Sequence, residues 1–325
     1  MPRDIIVEGG GQETRDAQTA DASPSTDTVA AVLDAGCGGE DRANRSVIST
    51  EDLPDLTPLI TSIILDQKKR RFCIRSQIRA DNATLAFVRM GLNWSPDLPE
   101  KEQEKIRKRA ASIVEKIEKG KPLPPEDQEL GDACAPLILS AAAARQPFDK
   151  LRKEIEKNMG RSVMQLPVWE WAKDVKGFGA VGLAVVIGEA GDLSNYPTVG
   201  KLWKRMGLAP LGGKAAKTWR STGGLSAEDW SWYGYKPARR SEMWNRVDPL
   251  IKKQISKVLD ESGEDTGDRV GTGPYGKAYL DRKRYELERD PGMSKMHAHN
   301  RATRYMEKRL LKHLWQTWRK QPITD

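Results

Sequence analysis

The sequence predicts a mainly α fold: a disordered acidic N-terminal tail, a helical arm, and a helical domain turned by a pair of glycines. Three observations carry that expectation. Residues 1–55 hold twelve acidic side chains against four arginines and few large apolar groups, too little to offset the entropy of ordering. From position 56 apolar residues recur at three- and four-residue steps, the period of a half-buried helix. Between 56 and 160 no two-residue alternation marks a strand.

The arm is expected over residues 56–164. Its first stretch, LPDLTPLITSIILDQKKRRFCIRSQIRADNATLAFVRMGL, is amphipathic, with Leu85, Val88 and the Ala83/Phe87 pair at helical spacing. SPDLPEKEQEKIRKRAASIVEKIEKG opens on a Ser-Pro start signal and runs through strong helix formers. Ile106, Ala110, Ile113, Val114 and Ile117 form a seam for a second helix. After the break at KPLPPED, a third helix is expected, interrupted near Pro147 and stopped by Gly160.

The net charge of +8 is unevenly spread: the first 55 residues sum to −8, which leaves +16 on the remainder. A basic body of that size concentrates polyanions, and nucleic acid is the commonest of them, although a merely soluble basic protein has the same balance. Cys37, Cys73 and Cys134 have neither an even count nor metal-ligand spacing, so a reduced, cytoplasmic protein is expected. Neither a signal peptide nor a membrane span is recognisable. His297 and His299 form a close pair with no third ligand at supporting spacing, His313 included, so no metal and no cofactor are expected.

Within residues 165–325 the stretch VKGFGAVGLAVVIGEAGD joins the short helix LPVWEWAKDV to an apolar helix through Lys176, Gly177, Phe178 and Gly179. Two helices joined by a glycine turn form the helix-hairpin-helix pattern. In it the glycines permit a tight turn and bring helix N-terminal amides to a phosphate, with Lys176 adding charge. An ordinary helical hairpin shares the pattern.

The chain continues as GEAGDLSNYPTVGKLWKRMGLAP, then KTWRSTGG. Together with the hairpin this resembles the C-terminal domain of the insertion sequence 110/116/902 transposase family. There a glycine hairpin, an alanine-rich helix, an acidic E-x-G-D end and GLAP precede a small-residue patch with a serine. The resemblance covers residues 165–224 and, through SKMHAHNRATRYMEKRLLKHLWQTWRK, residues 294–320, with an insertion at about 225–293. It implies DNA binding in transposition or recombination and a catalytic role for Ser221, flanked by Arg220, Lys217 and Lys214. The family's serine sits directly before a glycine, whereas here Thr222 intervenes. The family's N-terminal RuvC-like nuclease domain is expected to be absent, because residues 1–55 offer no strand to position its acidic ligands.

The closing helix carries Arg301, Arg304, Lys308, Arg309, Lys312, Arg319 and Lys320 beside one acid, Glu307. Ala302, Met306, Leu310, Leu314 and Trp318 make its packing row, which leaves a cationic face for phosphates or for solvent. Trp230, Trp232 and Trp244 alternate with Lys236, Arg239 and Arg240, a composition that fits stacking on unpaired bases and equally fits a core. The expected partner is DNA. A structured RNA, a second copy of the chain and a separately encoded nuclease subunit are further partners that the resemblance admits. A non-catalytic accessory of a mobile element, or a helical protein with an acidic partner, is the alternative.

Overall fold

The computed structural model describes residues 55–209, 226, 228 and 236–323. The expected acidic tail, Cys37, Arg220, Ser221, Trp230 and Trp232 lie outside these residues. The described fold is mainly α, with one two-stranded sheet.

Helix α1 (Thr57–Gly91) and helix α3 (Pro125–Val163) run antiparallel side by side; α1 alone is 35 residues, about 50 Å. Their partners descend in step along the pair: Arg70 with Glu156, Gln77 with Asp149, Arg145 with Asp81. The buried row on α1 is Ile60, Ile63, Gln67, Arg70, Cys73, Gln77, Thr84 and Val88, so polar groups hold the middle of the seam and must find partners there. Phe87 stays 47% exposed and Val88 is fully buried. Helix α2 (Glu100–Glu118) folds back on the far end, where Ala110 and Ile113 pack with Val88, Cys134 and Ile138 as a small separate core. That seam matches the predicted one, with Val114 and Ile117 at its margin.

Helix α3 passes through both Pro136 and Pro147 without breaking. An interior proline costs about 3 kcal/mol in an isolated helix; packing against α1 along its length outweighs that cost here. It also continues past Gly160 to Val163, because Gly160 is buried where α3 meets the next long apolar helix, with Ala180 the nearest neighbour.

One turn of helix, α4 (Trp169–Ala172), leads through the glycine pair into α5 (Gly179–Ala190). Residues Leu183 to Ile187 are all at most 1% exposed, as expected of a helix that is apolar all round. Helix α5 packs against α1, α3 and α7 (Pro237–Gln254), and α6 (Val199–Arg205) follows it by a short 3₁₀ turn. Then come strands β1 (Ile255–Leu259) and β2 (Asp265–Gly271), paired antiparallel from Ile255↔Gly271 to Leu259↔Asp265, and α8 (Pro274–Arg289). Helix α9 (Lys295–Trp318) closes the fold, its first turn capped by the Ser294 hydroxyl accepting from the His297 amide at 3.2 Å. Ala302, Met306, Leu310 and Leu314 are fully buried along it, as the sequence row predicts.

The main core crosses the expected boundary at 164/165. Ile60, Ile63, Cys73, Ile155, Met159 and Val163 of the arm join one cluster with Leu183, Val247, Tyr275 and Leu310. The β-hairpin is not among the elements expected from the sequence: α7 ends at Gln254, where the chain turns extended. Gln254 is 1% exposed and ties that corner together. Its Oε1 accepts from the Tyr275 and Gly276 amides at 3.0 and 3.2 Å, and its Nε2 donates to the Lys176 carbonyl at 2.8 Å.

The two glycines of the turn are held for different reasons. Gly177 has φ +89°, and a Cβ there would lie 2.5 Å from the Pro249 carbonyl oxygen and 2.8 Å from Leu250 Cα. Gly179 has φ +62° with nothing within 4 Å of its Cβ position. Gly177→Ala is therefore expected to cost about 3 kcal/mol or more, combining left-handed strain with a backbone clash against α7. Gly179→Ala is expected to cost about 1 to 2 kcal/mol from strain alone. Equilibrium unfolding in urea checks the difference; equal costs would mean that the approach of α7 to the turn is not a constraint.

Candidate nucleic-acid interface

The hairpin turn is reached from one side only. Phe178 is 5% exposed and packs edge-on against Trp171, ring centroids 6.5 Å apart, and its amide donates to the Val175 carbonyl at 3.0 Å. The Phe178 ring belongs to the core, and burying that apolar surface is what seats the turn. Gly177 faces the C-terminal part of α7, while Lys176 and Gly179 are exposed. Beside them lies a cleft of about 440 Å³ lined by Trp171, Asp174, Lys176, Thr272, Tyr275 and His313 among others. His313 shares a hydrogen bond of 2.9 Å with the Tyr275 hydroxyl through Nδ1, and His299 one of 2.8 Å with Tyr279. Among the described residues no group of three His, Cys, Asp or Glu side chains is placed to hold a metal.

A second concentration of charge sits at the opposite end of α5, about 18 Å away by helix length. Glu189, 6% exposed near the helix C-terminus, accepts from Gln67 at 2.9 Å and from Arg71 at 3.0 and 3.2 Å, with Arg239 at 3.6 Å. Because α5 and α7 are antiparallel, the same packing that puts Gly177 on Pro249 puts Glu189 beside the first turn of α7. Around Glu189 gather Arg71, Arg205, Lys236 and Arg239. Burial, and then the neighbouring Arg71, Arg239 and Arg205, pull the Lys236 ammonium below its ordinary pKa. Burial and Arg205 do the same to Arg239. One carboxylate shared by several cations leaves their mutual repulsion only partly relieved.

The next residue on α7, Arg240, belongs to another group. It lies with Arg304 close enough to act on Glu307, which is 1% exposed and whose Oε1 finds no hydrogen-bond partner among the described residues. Burial pushes that carboxyl up to about 8, against the pull of Arg240 and Arg304. The carboxyl is therefore mostly protonated at pH 7 and does not cancel the charge around it. Lys308 lies over the Trp203 ring at 5.4 Å, its pKa lowered first by burial and then by Arg304 and Arg282.

Of the residues singled out in sequence, Arg239 thus lies with Glu189, while Arg240 and Arg304 lie beside Glu307 with Lys308 near Arg304. Lys176 and Gly179 do not join them. Arg301 is engaged by the buried Glu286 at 2.8 Å, which also binds Arg282 and Arg289. Lys312 lies half-buried one turn beyond Lys308. Sequence reasoning missed Arg71 and Arg205, and no local signal marks them: Arg71 is 118 residues from its partner Glu189. The acidic GEAGD end is structural, since Glu189 is internal and Asp192 accepts from the Ser194 amide at 2.8 Å and the Trp318 indole at 3.1 Å.

The raised pKa of Glu307 makes stability depend on pH. The folded chain holds this proton up to about pH 8 and the unfolded chain releases it near 4.5, so between those values the folded state binds more protons and stability falls as pH rises. Glu307→Gln is expected to flatten that decline and to be the more stable protein at pH 9, by up to about 5 kcal/mol. Thermal unfolding of both proteins from pH 5 to 9 checks this; parallel curves would show the carboxyl to be ionised in the fold.

Comparison with known proteins finds no family model that matches the chain, and no curated protein or solved structure that matches it significantly.

Proposed function

We propose that this chain binds nucleic acid along the first turn of α7 and the flanking parts of α6 and α9, and that it serves DNA transposition or recombination. The observation that carries the binding is the placing of Arg205, Lys236 and Arg239 around the one carboxylate of Glu189, with Arg240 and Arg304 beside the buried Glu307 and Lys308 over the Trp203 ring. A polyanion relieves the repulsion within such a group and releases its own counterions in doing so. Contacts of this kind position a duplex or a single strand without choosing its sequence. The resemblance of residues 165–224 and 294–320 to transposase C-terminal domains supports the place in transposition, and a strand-transfer role for Ser221 rests on that resemblance.

The test is fluorescence anisotropy with labelled duplex DNA, single-stranded DNA and RNA over 50 to 300 mM salt, an experimental range chosen to resolve a slope of about −1 per neutralised phosphate. Arg205 and Lys236 are exposed, so Arg205→Glu/Lys236→Glu tests charge without removing packing. The double variant is expected to bind more than about tenfold more weakly, with a salt slope shallower by about 2. Lys176→Glu, at the far end of α5, is expected to cost about threefold or less, as the loss of one peripheral phosphate contact. Salt-independent binding, or unchanged binding by the double variant, overturns the proposal.

A further inference from the structure

On α7 the cation group borders a cleft of about 340 Å³ lined by Pro237, Arg240, Ser241, Trp244 and Asn245. The spacings place all five along one stripe of the helix. Trp244 is 37% exposed, an unusual position for the largest apolar side chain. It is nevertheless braced: its ring meets His299 in a T-shaped contact at 5.7 Å, and His299 is pinned through Nδ1 to the hydroxyl of Tyr279, itself 5% exposed. Bracing from beneath removes the rotamer freedom that a surface tryptophan ordinarily loses on binding. The exposed Ser241 hydroxyl donates back to the Pro237 carbonyl at 3.2 Å, and the Asn245 amide is exposed with both donor and acceptor.

An indole plane, a guanidinium one turn before it and a free-standing amide beside it make a set that matches one nucleotide. The indole stacks on the base, Arg240 meets the flanking phosphate, and Asn245 reaches the base edge. The cleft is at the small end for ligand sites and takes a single base, and the bases of a duplex are stacked on one another and unavailable. We propose that Trp244 is a stacking platform for an unpaired base, so that the chain prefers single-stranded over duplex nucleic acid. This rests on the nucleic-acid reading above and adds the strand class to it. The base and phosphate are common to single-stranded DNA and RNA, and separate arms of the experiment distinguish them.

The full chain is titrated with a 12-nucleotide thymidine strand, the matching uridine strand, an abasic strand of equal length and a 12-base-pair duplex, at two salt concentrations. Wild type is expected to bind at least one intact single strand about 5- to 100-fold more tightly than the abasic strand, the range that stacking one base supplies. Trp244→Ala is expected to lose that margin while keeping its duplex affinity and salt slope, and Trp244→Phe to retain most of it. The abasic comparison needs no variant, so it holds even where Trp244→Ala fails to fold. Equal binding of intact and abasic strands by wild type, or equal loss on single strand and duplex in Trp244→Ala, overturns the platform and leaves the phosphate-binding reading standing. Failure of wild type to bind any of the four overturns both.

Discussion

The packing of this fold turns on one buried guanidinium. Arg70 is 4% exposed in the middle of α1, and its charge is met by Glu156 of α3 at 2.8 Å and by both oxygens of Glu242 of α7 at 3.1 Å. An arginine left there without partners would cost several kcal/mol, so the pairing specifies the arrangement more than it adds net stability. Three helices distant in sequence must converge for the site to be tolerable. With α7 held against α1 and α3, its first turn is presented beside Glu189, its last turn lies on Gly177, and Gln254 locks the corner from which the β-hairpin departs.

That arrangement explains how a chain rich in arginine uses its positive charge in two ways. Arg70, buried, and Arg71 and Arg145, partly buried, are engaged in contacts that align α1 and α3 and anchor α5. Arg205, Lys236 and Arg304 are exposed and Arg240 is half-buried; Arg205 and Lys236 lie beside the engaged Glu189, and Arg240 and Arg304 beside the buried Glu307. The buried carboxylates hold the framework. At the glycine hairpin Gly177 admits the α7 backbone and Phe178 fills the core, with Lys176 and Gly179 exposed beside a separate cleft.

Several elements were readable from residue order because their causes are local. The packing row of α9, the glycine turn at 177–179 and most of the α2 seam follow from neighbours within a turn or two, and the structure places them as expected, with Ile106 outside the small core. Pro147 misled because a proline's cost is local while the compensation comes from α1, across the helix pair. The strands at 255–271 were hidden because they are short and exposed, with little alternation to show. The burial of Phe178 has no signal in the residue order, because it depends on Trp171 meeting its ring edge-on.

What the sequence determined by itself is the mainly helical character, the helix periods and the sharp turn at Gly177 and Gly179, since backbone sterics and hydrophobic periodicity act over a few residues. What only the tertiary structure decided is which charges are interior and which are available. Arg70 and Arg71 are adjacent members of a basic run, QKKRR, with nothing to distinguish them in order from Lys68 and Lys69. Burial and the approach of carboxylates from α3, α5 and α7 separate them, because the cost of desolvating a charge depends on what surrounds it in space.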